Sequence, residues 1–430
     1  MCAQRNFSLS IRHLKVFDSV ARLHGLGRAS EECHVTQPAI TQALKKLEQQ
    51  VGVTLLHRCG TGSYLNEFGT IFHCRTGRFF AQLEYALYEL GARDKPVPLR
   101  TVAGRVSQSQ VRSLLAIVDN GSSAEAARAL GVSQATLQRA ARDLERTLHT
   151  ALYAQTASGL VAVPGAVEFA HKVRLAQKEI ELGINEVNAA RGNIDGEIVI
   201  GAMNMAGSVM LGSIINDFML SYTNAHVQIV NGSAKELLRH LRSGTVDAVI
   251  GLLREPDAAD LKQEPLAETP YVVAARQSHP LMHRGCVTLN DLAEFEWVIG
   301  NRESRRRLCF DRLFCGRRAP PTRIETSSLP TIRLLLSQSD RLALLTSYEL
   351  MHEEEILASV PFGPIDPVPT IGLTVRKDWL PTRLQARLID LIRKLIVESL
   401  MPLEKLKKSA PDLALRGKPS ISSSQQLRDR

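Results

Sequence analysis

Thr36, Gln37, Thr41 and Gln42 lie within seven residues, and Lys45, Lys46 and Arg58 follow. A glutamine carboxamide pairs with the major-groove edge of adenine, and threonine offers a hydroxyl and a methyl to base edges. Lysine and arginine neutralise phosphates, which makes such binding salt-dependent. These residue types at this spacing suit a double-stranded nucleic acid. A second set, Ser133, Gln134, Arg139 and Arg142, comes about a hundred residues later. The plain alternative for either set is the solvated polar face of a small helical bundle.

The two sets sit in similar sequence. When residues 14–56 are moved forward by 97 positions, Ala29 falls on Ala126, Val35 on Val132, Gln37 on Gln134, Leu47 on Leu144 and Glu48 on Glu145. Such self-similarity marks a repeated structural unit. In the first copy Leu14, Phe17, Val20 and Ala21 recur at helical spacing, and a short helix follows around residues 28–33. His34-Val35 turns the chain, Thr36 stands as an N-cap, and Pro38 falls in the first turn of the next helix, where a missing N–H costs nothing. That helix buries Ile40, Leu44, Leu47 and Val51 and shows Gln37, Thr41, Gln42, Lys45 and Lys46 on its opposite face. Two helices around a tight turn, the second polar outside, follow the helix-turn-helix plan. The N-terminus of the second helix offers backbone N–H groups and the positive end of its dipole to phosphate.

The stretch "LKVFDSVARLHGLGRASEECHVTQPAITQALKKLEQQVGVTLLHR", followed by "LNEFG", resembles the N-terminal domain of LysR-type transcriptional regulators. The family pattern is met at Gln37, Pro38, Ala39, Glu48, Gly52 and Arg58. Ser30 and Cys33 depart from it, and the wing segment "CGTGSYLNEFG" carries little positive charge. The second copy resembles the same domain less well: Ala135 replaces the proline, His149 the glycine, and Gln155 stands where Arg58 would. Two readings stand for it, a second DNA reader or a scaffold that has kept the fold and lost the contacts; the first copy is expected to be the stronger reader.

Amphipathic helices are expected at 69–90 and 165–191, because apolar residues recur there every three to four positions. In the resembled family such a helix links the DNA-binding domain to the ligand domain and pairs in a dimer. Which of the two packs between protomers, and which within one, is open. From Gly192 the chain alternates short apolar strands with helices, which implies an α/β fold with mostly parallel sheets. This half resembles the family's effector domain, a two-lobed periplasmic-binding-protein-like unit whose effector lies between the lobes. The resemblance points to Asn204, Met205 and Ser208 on the first lobe and to Ser304, Arg305, Ser327 and Ser328 on the second. Met203 and Met205 stand where hydroxyl residues are usual. The run Arg302–Arg312 could grip a carboxylate, although Arg306 and Arg307 are read as solvated.

The expected fold class is therefore α plus α/β: two winged helix-turn-helix domains, linker helices, then the two-lobed effector domain. The boundaries read as 1–66, first winged domain; 67–92, linker helix; 93–110, hinge; 111–164, second winged domain; 165–191, linker helix; 192–402, effector domain, with one lobe at 192–265 and 366–402 and the other at 266–365; and 403–430, a basic disordered tail.

Charge agrees with this division. Residues 1–192 hold 23 Lys+Arg against 16 Asp+Glu, 193–402 hold 23 against 25, and the tail holds 7 against 3. A basic front joined to a near-neutral back suggests a polyanion-binding part and a part with another task. No apolar run is long enough to span a membrane and no secretory leader is read at the N-terminus, so a cytoplasmic protein is expected. The seven cysteines show no C-x-x-C spacing, which argues against zinc or a disulfide framework. Nucleophile-elbow, zincin, phosphate-loop and dinucleotide motifs are missing, and neither His279 nor Asp247 has a base beside it in the sequence, so no enzyme and no cofactor are expected. The expected partners are double-stranded DNA, a small-molecule effector (an anion by the arginine argument) and a second copy in a dimer or tetramer. RNA polymerase is a further candidate. Competing classes are a DNA-binding scaffold without ligand and a small-molecule binder whose front helices bind protein.

Overall fold

The computed structural model describes residues 9–60, 62–91, 98–193, 196–203, 207–253, 259–302 and 304–400. The tail at 403–430 and residues Asn204 and Met205 lie outside them. The chain forms two compact units: Met1–Pro265 with Ser327–Thr331 and Gly372–Leu391, and Leu266–Thr326 with Ile332–Ile371 and Ile392–Arg430.

The first unit begins with α1 (Ile11–Leu23), α2 (Leu26–Cys33) and α3 (Gln37–Val51). Leu14, Phe17 and Val20 of α1 and Ile40, Leu44 and Leu47 of α3 are fully buried, the outcome that helical spacing of apolar residues demands. His34 ends α2 in the left-handed region at φ 54°, and Gly52 ends α3 at φ 86°. A hairpin of β1 (Leu56–Cys59) and β2 (Gly62–Leu65) pairs Arg58 with Ser63. Then comes the long α4 (Glu67–Glu89), whose N-cap Asn66 accepts a hydrogen bond from the Gly69 N–H.

The same order returns. After the short α5 (Leu99–Ala103) come α6 (Gln108–Asn120), α7 (Ser123–Leu130), α8 (Gln134–Leu148), a hairpin of β3 (Tyr153–Thr156) and β4 (Gly159–Ala162), and the long α9 (Pro164–Ala190). One core runs from Leu9 to Val187 through both helical heads and both long helices. Residues 93–110, expected as a hinge, contain α5, and Val102, Ala103 and Val106 there are buried in that core. Arg100 of α5 bonds Asp18 of α1 and Glu84 of α4, so the connector is tied down at its described end.

The rest of this unit is a sheet ordered β6-β5-β7-β14-β8, formed by β5 (Gly196–Met203), β6 (Ala225–Gly232), β7 (Ala248–Leu252), β8 (Leu261–Glu268) and the late-returning β14 (Thr370–Arg376). In it β5 runs parallel to its neighbours β6 and β7. Helices α10 (Gly207–Ser221) and α11 (Ala234–Arg242) make the crossovers.

The second unit is built on a sheet ordered β11-β10-β12-β9-β13: β9 (Tyr271–Arg276), β10 (Trp297–Ile299), β11 (Ile324–Glu325), β12 (Leu342–Thr346) and β13 (Leu357–Ser359). β10 is parallel to β11 and β12, whereas β9 is antiparallel to β12 and β13, so this sheet is mixed. Its helices are α12 (Leu289–Ala293), α13 (Arg305–Leu313) and α15 (Ser347–Met351), while α14 (Leu329–Ser337) and α16 (Arg383–Leu400) contribute residues to both units. Trp297 is fully buried against Phe310 and Phe314, with its indole N–H donating to the Leu292 carbonyl. Among the described residues, no helix is long and apolar enough to cross a membrane, and no group of three or more His, Cys, Asp and Glu could hold a metal.

Candidate functional site

The first head exposes the tip that its sequence promised. Thr36, Gln37, Pro38 and Ala39 are all exposed, as are Gln42, Lys45 and Lys46, and Thr41 is half-buried. Apolar positions 40, 43, 44 and 47 turn the opposite face of α3 into the core, which forces this row outward. Thr36 occupies the N-cap position, but its side chain makes no capping hydrogen bond, contrary to the expectation of an ordinary cap. The first N–H groups of α3 are thus not taken by Thr36, with Pro38 removing one donor. Close by, His13 is held below the usual histidine range by burial first, then by the charges of Lys46 and Arg12. Glu48, the acid of this helix, accepts from the Leu55 N–H and ties α3 to its hairpin. Arg58 lies in that hairpin's first strand. A ring stack of His24 on Tyr64, with centroids 5.3 Å apart, and a bond from the Ser63 N–H to the His24 carbonyl fasten the hairpin to the end of α1.

The second head has the same frame with a quieter tip. Ser133, Gln134 and Arg139 are exposed and Arg142 is half-buried. Ser133 does cap α8, accepting from the Thr136 N–H at 3.2 Å and bonding the Thr136 hydroxyl at 2.8 Å. Arg142 pairs with Glu145 at 2.6 Å and Arg146 with Asp143 at 2.9 Å, so two of the three arginines of α8 meet carboxylates on their own helix. Glu145 repeats the role of Glu48, accepting from the Leu152 and Tyr153 N–H groups. The hairpin is held by a side chain: buried Ser123 accepts from the Leu160 N–H and from the Gln138 amide. Residues 11–66 carry seven Lys+Arg against four Asp+Glu, and 108–163 carry five against four.

The proposed effector residues fall in different places. Ser208 lies in the first turn of α10. Ser304 is the N-cap of α13, accepting from the Arg307 N–H, and the half-buried Arg305 begins that helix. Ser327 and Ser328 precede α14, where the Ser328 hydroxyl accepts from the Thr331 N–H and hydroxyl. Ser304 and Arg305 belong to the second compact unit, and the other three belong to the first.

The structure corrects the reading of Arg306. Arg306 is 1 % exposed, not solvated, and donates to both oxygens of Glu349, at 2.9 and 3.1 Å. Arg307 bonds Asp311 and Glu325. Glu349 lies 43 residues from Arg306, so no local pattern could announce that pair. His279 is buried and satisfied, with Nδ1 accepting from the Leu281 N–H and Nε2 bonding the Asp340 carbonyl, a structural arrangement. Asp247, also buried, accepts from the Val199 N–H.

The seam between the long helices was not legible beforehand. α4 and α9 pack antiparallel along their length. Fully buried Arg75 donates from Nε to Glu186 and from Nη1 to Glu179, each at 2.9 Å, and again to the Leu380 carbonyl at 2.9 Å. Arg78 bonds Glu179 at 3.0 Å and also the Asp378 carbonyl. The Gln82 amide reaches Glu179 at 3.3 Å, and at the far end Lys172 pairs with Glu89 and lies over the Tyr85 ring. Gly183 makes room: a Cβ there would stand 3.0 Å from the Arg75 side chain.

Comparison with known proteins agrees with this architecture. The bacterial regulatory helix-turn-helix family of LysR type matches residues 11–70 and again 108–164, and the LysR substrate binding domain matches 191–396. The HTH-type transcriptional regulator GalR of Pseudomonas putida is 30% identical over 402 residues, covering 90% of this chain and 98% of that protein. PcaQ of Agrobacterium fabrum is 24% identical over 391 residues, covering 90% of this chain and 94% of PcaQ. Among solved structures, a full-length OxyR from Pseudomonas aeruginosa is similar over 67% of this chain and 97% of its own, at 18% identity and a TM-score of 0.47. The chain belongs to the LysR family of helix-turn-helix transcriptional regulators.

Proposed function

We propose that residues 11–66 and 108–163 are two copies of one DNA-binding domain, and that the first is the stronger reader. Gln37 takes an adenine edge, with Thr36, Thr41 and Gln42 beside it, Pro38 setting the helix start, and Lys45 and Arg58 on phosphates. In the second copy Ser133, Gln134, Arg139 and Arg142 take the corresponding places with less free charge. The observation that carries this reading is the exposed tip of α3, where Thr36 makes no side-chain cap bond, with Lys45 and Lys46 exposed further along the same helix. A small-molecule effector, an anion bound through Arg305 with help from Asn204, Met205, Ser208, Ser304, Ser327 and Ser328, would bias the arrangement of the heads and so their contact with DNA. RNA polymerase and a second copy of the chain are further proposed partners.

The test is a mobility-shift titration on DNA fragments enriched by the protein from a random pool. Gln37→Ala should cost about 1–3 kcal/mol of specific binding, the worth of one bidentate base contact, and Gln134→Ala should cost less. Equal losses would overturn the ranking, and no loss in either would remove these helices from the interface.

A further inference from the structure

The seam between α4 and α9 repeats itself. Adding 97 to Arg75 gives position 172, and subtracting 97 from Glu186 gives position 89. The Arg75–Glu186 pair and the Lys172–Glu89 pair are therefore one contact made twice, with the two helices exchanging roles. Gln82 and Glu179 are also 97 apart, and they touch each other. Contacts in which i meets j while j meets i, with one position facing its own counterpart, are the signature of an isologous twofold interface. Two identical chains make such an interface between protomers; here both halves belong to one polypeptide.

The charges favour this partner over a second copy. α4 supplies Arg75 and Arg78, and α9 supplies Glu179 and Glu186. If α9 met another α9 in the same register, Glu179 would face Glu179. If α4 met another α4, buried Arg75 would keep one carboxylate, at Glu89, and find Gln82 in place of Glu179. A buried arginine with one carboxylate is less well compensated than one with two, and like charges in register disfavour a wrong partner.

From this we infer that each chain is an internal dimer of DNA-reading heads: α9 occupies the face of α4 that a second chain would otherwise cover, and a single chain engages both half-sites of one operator, α3 in one and α8 in the other. The inference rests on the reading that both heads bind DNA. Twofold heads demand paired half-sites, and heads that differ on the exposed face of the reading helix, at Gln42 against Arg139, demand half-sites that differ.

Two measurements on the full chain test it. In a background with Cys2, Cys59, Cys74, Cys286 and Cys315 changed to serine, Glu89→Cys and Lys172→Cys are placed in one chain, or singly in two differently tagged chains that are co-expressed. After treatment with a short bis-maleimide, the doubly substituted chain should be bridged within itself, with the mass of one chain, and the tagged mixture should give no bridged pair. A bridged pair in the mixture would overturn the inference, and so would the absence of an intrachain bridge when both cysteines take up a monofunctional maleimide. In a hydroxyl-radical footprint on an enriched fragment, Gln37→Ala should weaken protection of one half-site about tenfold, and Gln134→Ala should weaken the other, each within the range of a single base contact. Protection of both halves unchanged by Gln134→Ala would overturn the two-half-site assignment while leaving the α3 reading intact. Protection unchanged by either variant would instead defeat the DNA-face reading itself.

Discussion

The two heads have the same scaffold and differ in what the exposed faces of α3 and α8 have left to offer. In the first, α3 shows two lysines and an N-cap residue whose side chain makes no capping bond; in the second, α8 folds its cap and two of its three arginines back onto itself. Both helices carry one excess positive charge, from two bases and one acid in α3 and three bases and two acids in α8. The lesson is that net charge is a poor guide to a binding surface: an arginine already held by a neighbouring glutamate has spent part of its field before a phosphate arrives.

The sharpest way to break the comparison is at the seam, where the same contact exists in a buried and an exposed form. Arg75→Ala leaves Glu179 and Glu186 without their buried partner and should cost about 3–5 kcal/mol in denaturant unfolding, whereas Lys172→Ala, at the half-exposed counterpart, should cost about 1 kcal/mol or less. Similar losses would show that the two ends of the seam are equally buried in solution.

Acid should separate the heads next. Asp18 is buried, which pushes its carboxyl up, but hydrogen bonds from His73, Arg100 and Arg22 outweigh this and hold it down at about 2. A folded value below the ordinary 3.8 means stability fully present above that pH and lost as pH falls toward about 2. The corresponding residue of the second head is Leu115, which has no such dependence. Amide exchange across pH 5 to 2.5 should show α1 loosening before α6, and Asp18→Asn should abolish the difference. Simultaneous loosening in the parent protein would assign the acid sensitivity elsewhere.

A smaller effect is expected at the caps. Ser133→Ala removes a bonded cap and should cost about 1 kcal/mol of stability, while Thr36→Ala, with no such bond to lose, should cost a few tenths at most and show itself in DNA affinity. Last, Arg58→Ala should lower the slope of log affinity against log salt by about 0.9, one phosphate's worth, whereas Gln155→Ala at the matching place should leave the slope alone. A slope unchanged by Arg58→Ala would strike that residue from the phosphate contacts.

Most of the heads could be read from the chain itself. Leu14, Phe17 and Val20, and Ile40, Leu44 and Leu47, are spaced so that each helix can bury only one face, and once those faces are fixed Gln37 and Lys45 have nowhere to point but out. The two-sheet character of the back half was equally plain from its alternating apolar runs. What escaped notice depends on distant partners. Arg306 sits in a dense basic run and looks solvated until Glu349 arrives from β12–α15. α5 is five residues long, too short to display a period, yet Val102 and Ala103 are buried. Arg75 reads as an ordinary surface arginine of a linker helix, because its two acids lie 104 and 111 residues further on. For the effector residues, a resemblance could nominate positions, but serines that already cap helices, as Ser304 and Ser328 do, carry no mark of a ligand in their sequence.

If α3 and α8 read the two halves of one operator as proposed, carrying them on one polypeptide has a consequence for inheritance. Where identical subunits assemble, every mutation in the gene appears on both sides of the operator at once, so recognition drifts symmetrically or fails. Here a codon for position 37 and a codon for position 134 are separate. On that proposal one side could be retuned while its neighbour holds the site, which would open a stepwise route from palindromic to lopsided promoters.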